Sequence, residues 1–269
     1  MKTIGIISLK GGVGKTSTVV SLGHTLANTG KKVLLIDANF SAPNLGTHLD
    51  LIDPEVTLHH VLTNKNKIED SIYNLEDFDV IPSSIFTKEN FNPLRLKDKI
   101  KPLKEIYDII LIDSSPSLND ETLSCMMASD YLLVVTTPDY STLSMTLKAT
   151  KLAKQRRTPI IGLILNKVYN KNFEIPKHEI EKYSETPIMA VIPHDINIPK
   201  AQSRFTPATL LKPKSNASKE YKRLAAALVG KSEDKFKWNP LTNLMPKKEA
   251  INREVYRASY YGWSRILPM

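Results

Sequence analysis

Two runs in this sequence are apolar at every position, Ile109-Ile110-Leu111-Ile112 and Leu132-Leu133-Val134-Val135. A strand with one face in water alternates apolar and polar residues; a strand covered on both faces does not. Such runs therefore belong to the middle of a sheet with layers above and below. Further strands are expected at Thr3 to Ser8, Val33 to Ile36, Asp79 to Ile81, Tyr107 to Ile112, Tyr131 to Val135, Ile160 to Leu165 and Ile188 to Ile192. Helical stretches fit between them: Lys15 to about Thr29, closed by Gly30; Ser141 to Gln155, before Pro159; and Ala217 to Leu228, ended by Gly230. Strand and helix in alternation predict an α/β fold, a doubly wound, mostly parallel sheet with helices on both faces, over residues 1–230. From Lys231 to Met269 no convincing strand follows, and Pro240, Pro246, Pro268, Trp238 and Trp263 crowd the segment. It is read as a separate basic, aromatic-rich tail.

Composition narrows the function classes. No apolar run approaches the roughly 18 residues of a membrane span. The opening Met1-Lys2-Thr3 runs straight into Ile4-Gly5-Ile6-Ile7, without the cleavage site of a secretory signal, so a cytoplasmic protein is expected. One cysteine, Cys125, rules out an internal disulfide and a thiolate pair for a metal or an iron–sulfur cluster. Net charge is +9, which favours polyanionic partners, although a lysine-rich solvated surface gives the same sum.

Between the first strand and the first helix lies Lys10-Gly11-Gly12-Val13-Gly14-Lys15-Thr16. Glycines let the backbone curl so that successive N–H groups point at phosphate oxygens, and the helix N-terminus adds its positive dipole end. Lys15 would neutralise β- and γ-phosphates, and the Thr16 hydroxyl would ligate Mg²⁺. The expected ligands are ATP and Mg²⁺, with Gly11, Gly12, Val13, Gly14, Lys15, Thr16 and Ser17 around the phosphates.

The usual phosphate loop carries glycine where this chain has Leu9, and a second lysine, Lys10, stands at its mouth. This variant resembles the deviant Walker A motif of the ParA/MinD family of ATPases. The resemblance continues through Gly30-Lys31-Lys32-Val33-Leu34-Leu35-Ile36-Asp37, through Tyr107 to Leu118 with Asp113, through Asn166-Lys167-Val168, and through Val191-Ile192-Pro193-His194-Asp195. It implies an ATP-bridged homodimer in which Lys10 reaches the partner's phosphates. It further implies Mg²⁺ held near Asp113, with Asp37 supporting the same shell, and adenine contacts from Asn166, Pro193 and Asp195. The implied activity is that of a switch ATPase in chromosome or plasmid partition, or in positioning a division site. An activating partner protein and an anionic docking surface, membrane or nonspecific DNA, would go with it.

One departure stands at Asp37-Ala38-Asn39, where the family pattern has a second aspartate to position the attacking water. Asparagine can hold a water but cannot take its proton, and a positioned base is worth roughly 10²–10⁴ in rate. Hydrolysis is expected to be slow, unless positioning and charge stabilisation suffice. A non-hydrolysing ATP-binding module and a metabolic ligase or kinase on the same fold remain the alternatives. In the tail, a helical reading aligns Ile251, Val255, Ala258, Gly262 and Ile266 on one stripe beside Trp263, compatible with a membrane-surface helix or with packing on the domain itself. For DNA, basic clusters stand at Lys151, Lys154, Arg156, Arg157 and at Lys212, Lys214, Lys219, Lys222, Arg223.

Overall fold

A computed structural model describes residues 2–86 and 90–230; the expected tail, 231–269, lies outside the described residues. The strands are β1 (Lys2–Ile7), β2 (Val33–Ala38), β3 (Tyr73–Asn74), β4 (Asp79–Ile81), β5 (Ile109–Ser114), β6 (Tyr131–Thr136), β7 (Ile160–Val168) and β8 (Ile188–Pro193). They form one sheet in the order β3-β4-β2-β5-β1-β6-β7-β8, parallel throughout except for β3 against β4. The helices are α1 (Lys15–Ala27), α2 (Leu58–Leu62), α3 (Leu96–Lys99), α4 (Asp120–Ala128), α5 (Tyr140–Gln155), α6 (Lys177–Ser184), α7 (Asn197–Gln202), α8 (Ala208–Leu211) and α9 (Asn216–Leu228).

The apolar runs are explained by two cores, one on each face. Leu34, Ile36, Ile110, Ile112, Leu132 and Val134 point into a core shared with α2, α4, α5 and α6. Their neighbours Val33, Leu35, Ile109, Leu111, Leu133 and Val135 point into a second core closed by α1 and α9. Every residue of β2 and of β5 is buried, so no position was available for a polar side chain facing water.

Strand ends differ from the sequence expectation. β5 begins two residues late because the amides of Asp108 and Ile109 both turn to the Lys32 carbonyl. It runs on through Asp113 and Ser114, which pair with Asp37 and Ala38 of β2. The short edge strand β3 was not anticipated. Helix α1 ends at Ala27 rather than Thr29, and the N–H groups of Thr29 and Gly30 close a tighter turn onto Leu26 and Ala27. Gly30 and Gly230 both take the left-handed conformation that follows a helix end (φ 84 and 69).

From β1 the chain crosses to β2, returns to fill the gap with β5, and then proceeds to the other side with β6. In open α/β sheets a crevice forms at the carboxyl ends of the strands where the order reverses. Here that point is the end of β1.

Candidate functional site

The loop 8–14 leaves β1 at this crevice. Its turn depends on two glycines in the left-handed region, Gly12 (φ 77) and Gly14 (φ 93). The loop is held from the far end of β7: Asn166 Nδ2 donates to the Val13 carbonyl (2.8 Å) and Lys167 Nζ to the Gly12 carbonyl (2.7 Å). Among the described residues, none of the backbone N–H groups from Gly11 to Thr16 has a hydrogen-bond acceptor. Consecutive uncommitted amides at a helix N-terminus, α1, make a concave anion site.

Beneath the loop the charges are buried. Lys15 is only 8% exposed, and burial pushes its ammonium pKa down, opposed by nearby Asp113. Asp113 accepts a hydrogen bond from Thr16 Oγ1 at 2.6 Å through Oδ2, while its buried Oδ1 has no protein partner. Burial pushes the Asp113 carboxyl up to about 6, against the pull of Lys15 and Thr16. Asp37, its register partner on β2, is driven the same way by burial and by Asp113, to about 8. Two neighbouring carboxylates in low dielectric favour either a proton or a cation beside them. The residues fit Mg²⁺ in its usual mode, one or two protein oxygens with the rest from phosphate and water: a hydroxyl at Thr16 and a carboxylate oxygen at Asp113 not otherwise engaged. Asp37 is different. It is fully buried, and its oxygens accept N–H bonds from Asn39, Asn44 and Leu45 (3.0–3.1 Å), so it organises the loop after β2.

Asn39 is 5% exposed, donates its amide to the Ala42 carbonyl, and leaves Oδ1 buried without a partner. Two residues on, the Ser41 N–H and hydroxyl both donate to Glu121 Oε1. Glu121 thereby ties the loop carrying Asn39 to the start of α4.

A cleft of about 380 Å³ joins these groups to the ends of β7 and β8. Gly11, Gly12, Gly14, Lys15, Thr16, Ser17 and Asn39 line it at one end, and Asn166, Pro193 and Asp195 at the other. Asn166 Oδ1 is buried and has no partner, so it remains an acceptor. Asp195 is braced by the Asn197 N–H and side-chain amide. The sequence reading missed Asn44, His48 and Gln202, which also line the cleft, as does His194 of the expected Pro193 to Asp195 turn. Lys10 and Val13 do not line it: they face a second cavity of about 480 Å³ with Thr137, Asp139, Tyr169 and Phe173. Tyr169 stacks on His194 (4.5 Å, 24°).

Among the described residues no helix is long and apolar enough to cross a membrane, and no three His, Cys, Asp or Glu gather as a metal cage.

Comparisons with known proteins agree with this fold. A family model described as an AAA domain matches residues 1–161. A second, for ParA, described as NUBPL iron-transfer P-loop NTPase, matches residues 103–229; the one cysteine here is buried and offers no thiolate pair. An uncharacterized ATP-binding protein of Methanocaldococcus jannaschii is 36% identical over 231 residues, 84% of this chain and 87% of that protein. The sporulation initiation inhibitor protein Soj of Bacillus subtilis is 30% identical over 83% of this chain and 96% of its own. The septum site-determining protein MinD of Pyrococcus horikoshii OT3, solved in complex with Mg-ADP, superposes with a TM-score of 0.80 at 32% identity, covering 84% of this chain and 95% of that one. With the loop, the two cores and these relatives in agreement, the chain belongs to the ParA/MinD family of P-loop ATPases.

Proposed function

We propose that this protein binds ATP with Mg²⁺ in the cleft and uses it to gate formation of a homodimer, acting as a slow switch ATPase in partition or cellular positioning. One observation carries the reading: uncommitted loop amides from Gly11 to Thr16 run into the buried Lys15 and the half-buried Thr16, whose hydroxyl donates to the buried Asp113. Such a set is costly to bury and balanced by a polyanion with its cation.

The loop amides and Lys15 hold the phosphates. Thr16 and Asp113 hold Mg²⁺, which when bound neutralises charge on the transferring phosphoryl group. Asn166 presents an acceptor to the adenine amino group, with Pro193 and Asp195 beside it. Asn39 presents Oδ1 to the attacking water; it orients that water without removing its proton, hence the slow turnover. Lys10, exposed and turned away from its own cleft, reaches the phosphates of the partner subunit.

Residues 1–230 form the switch. The exposed basic residues near the end of α5 and before and along α9 support docking on a polyanion, DNA or anionic membrane. A further protein would trigger release by speeding hydrolysis.

Light scattering on the full chain tests the switch. The mass in solution is expected to double with Mg-ATP and to stay monomeric in Lys10→Ala, with ATP binding retained. An unchanged mass at saturating Mg-ATP contradicts the gating.

A further inference from the structure

His48 lies in the 3-10 turn Thr47–Leu49, and its Nδ1 is 2.8 Å from the Asn44 carbonyl oxygen. A carbonyl oxygen only accepts, so Nδ1 carries the hydrogen and the neutral ring leaves Nε2 as an acceptor. Burial holds the imidazole pKa below its usual value, although the Asn44 bond opposes it. Among the described residues nothing hydrogen-bonds to Nε2.

The position of this ring in the cleft gives the acceptor a target. His48 lines the main cleft and also a small recess opening beside Ser17, across from Ile198 and Gln202 of α7. Ser17 closes the phosphate loop, and α7 follows the Pro193–Asp195 turn at the base end. His48 therefore stands between the two ends. In a mononucleotide the group between phosphate and base is the sugar, whose hydroxyls are hydrogen-bond donors.

We infer that His48 Nε2 accepts a hydrogen bond from a ribose hydroxyl, so that the site distinguishes ATP from the analogue lacking that hydroxyl. The inference rests on the cleft being an ATP site and adds the residue that reads the sugar. Asn44 acts through His48, fixing the tautomer, and makes no sugar contact itself.

Calorimetric titration of the full chain with the Mg²⁺ complexes of ATP, 2′-deoxy-ATP and 3′-deoxy-ATP tests it. One neutral hydrogen bond is worth roughly three- to tenfold in affinity. Wild type is expected to bind one of the two deoxy analogues weaker than ATP by that factor. His48→Phe is expected to bind all three alike at the weaker level, and His48→Gln, which keeps an acceptor oxygen, to restore part of the difference. Equal binding of the three nucleotides by wild type overturns the inference while leaving the ATP site standing, as does undiminished discrimination in His48→Phe. Absence of any ATP binding by wild type overturns the site and the inference together.

Discussion

At the phosphate end of the cleft one continuous run, Gly11–Thr16, supplies backbone donors, and its two left-handed glycines set the curvature. At the base end, Asn166, Pro193 and Asp195 arrive from the ends of two different strands, with His194 and Gln202 alongside. The first kind of site is written locally, because backbone amides need only the right dihedrals. The second depends on the sheet bringing side chains together. A backbone site grips any triphosphate, and the assembled end has to choose among nucleotides. The two are joined at Asn166, whose amide holds the Val13 carbonyl while its oxygen stays available at the base end.

The largest effect is expected at the phosphate end. Asn39→Asp places a carboxylate where the amide oxygen now lies unpartnered, and turnover should rise by roughly 10²-fold, the lower part of the range for a positioned base. ATP affinity should not change, because the residue meets the water rather than the phosphates. Steady-state phosphate release with a parallel binding titration checks both. No rise in turnover would show that positioning alone limits the reaction.

Gly14→Ala probes the joint between the two ends. A Cβ there would lie 2.4 Å from Asn166 Nδ2, on a residue at φ 93. Strain of about 1–3 kcal/mol is expected, with loss of the Asn166 bond to the loop and a lower melting temperature. Gly11→Ala is the control: its nearest neighbour is Pro116 Cβ at 4.0 Å, with no left-handed requirement, so its melting temperature should stay near wild type. Equal destabilisation by the two would mean that Asn166 does not set the loop.

The same contrast explains how much was legible in the sequence. β2, β5 and β6 announced themselves because both their faces are buried, so that Leu34 and Leu35, on opposite faces, are equally apolar. The motif at 10–16 was legible because it sits between such a strand and a helix. Nothing local marks β3, which is two residues long and paired only to β4. Asn44 and His48 lie in a loop without periodicity, folded back by the amides that Asp37 accepts. Glu121 reads as an ordinary acid in the first turn of α4, and only the fold reveals that Ser41 is its partner. Asp37 was expected to support the cation's shell; that its oxygens accept three backbone amides was legible only in the fold.

The central claim is that the amides from Gly11 to Thr16 and the buried Lys15 hold the phosphates of ATP. A calorimetric titration of wild type and Lys15→Ala with Mg-ATP tests it most directly. Wild type should bind one ATP per chain. Loss of a buried, charge-assisted contact should weaken Lys15→Ala by about 30-fold or more. Equal affinity in the two proteins would contradict the account.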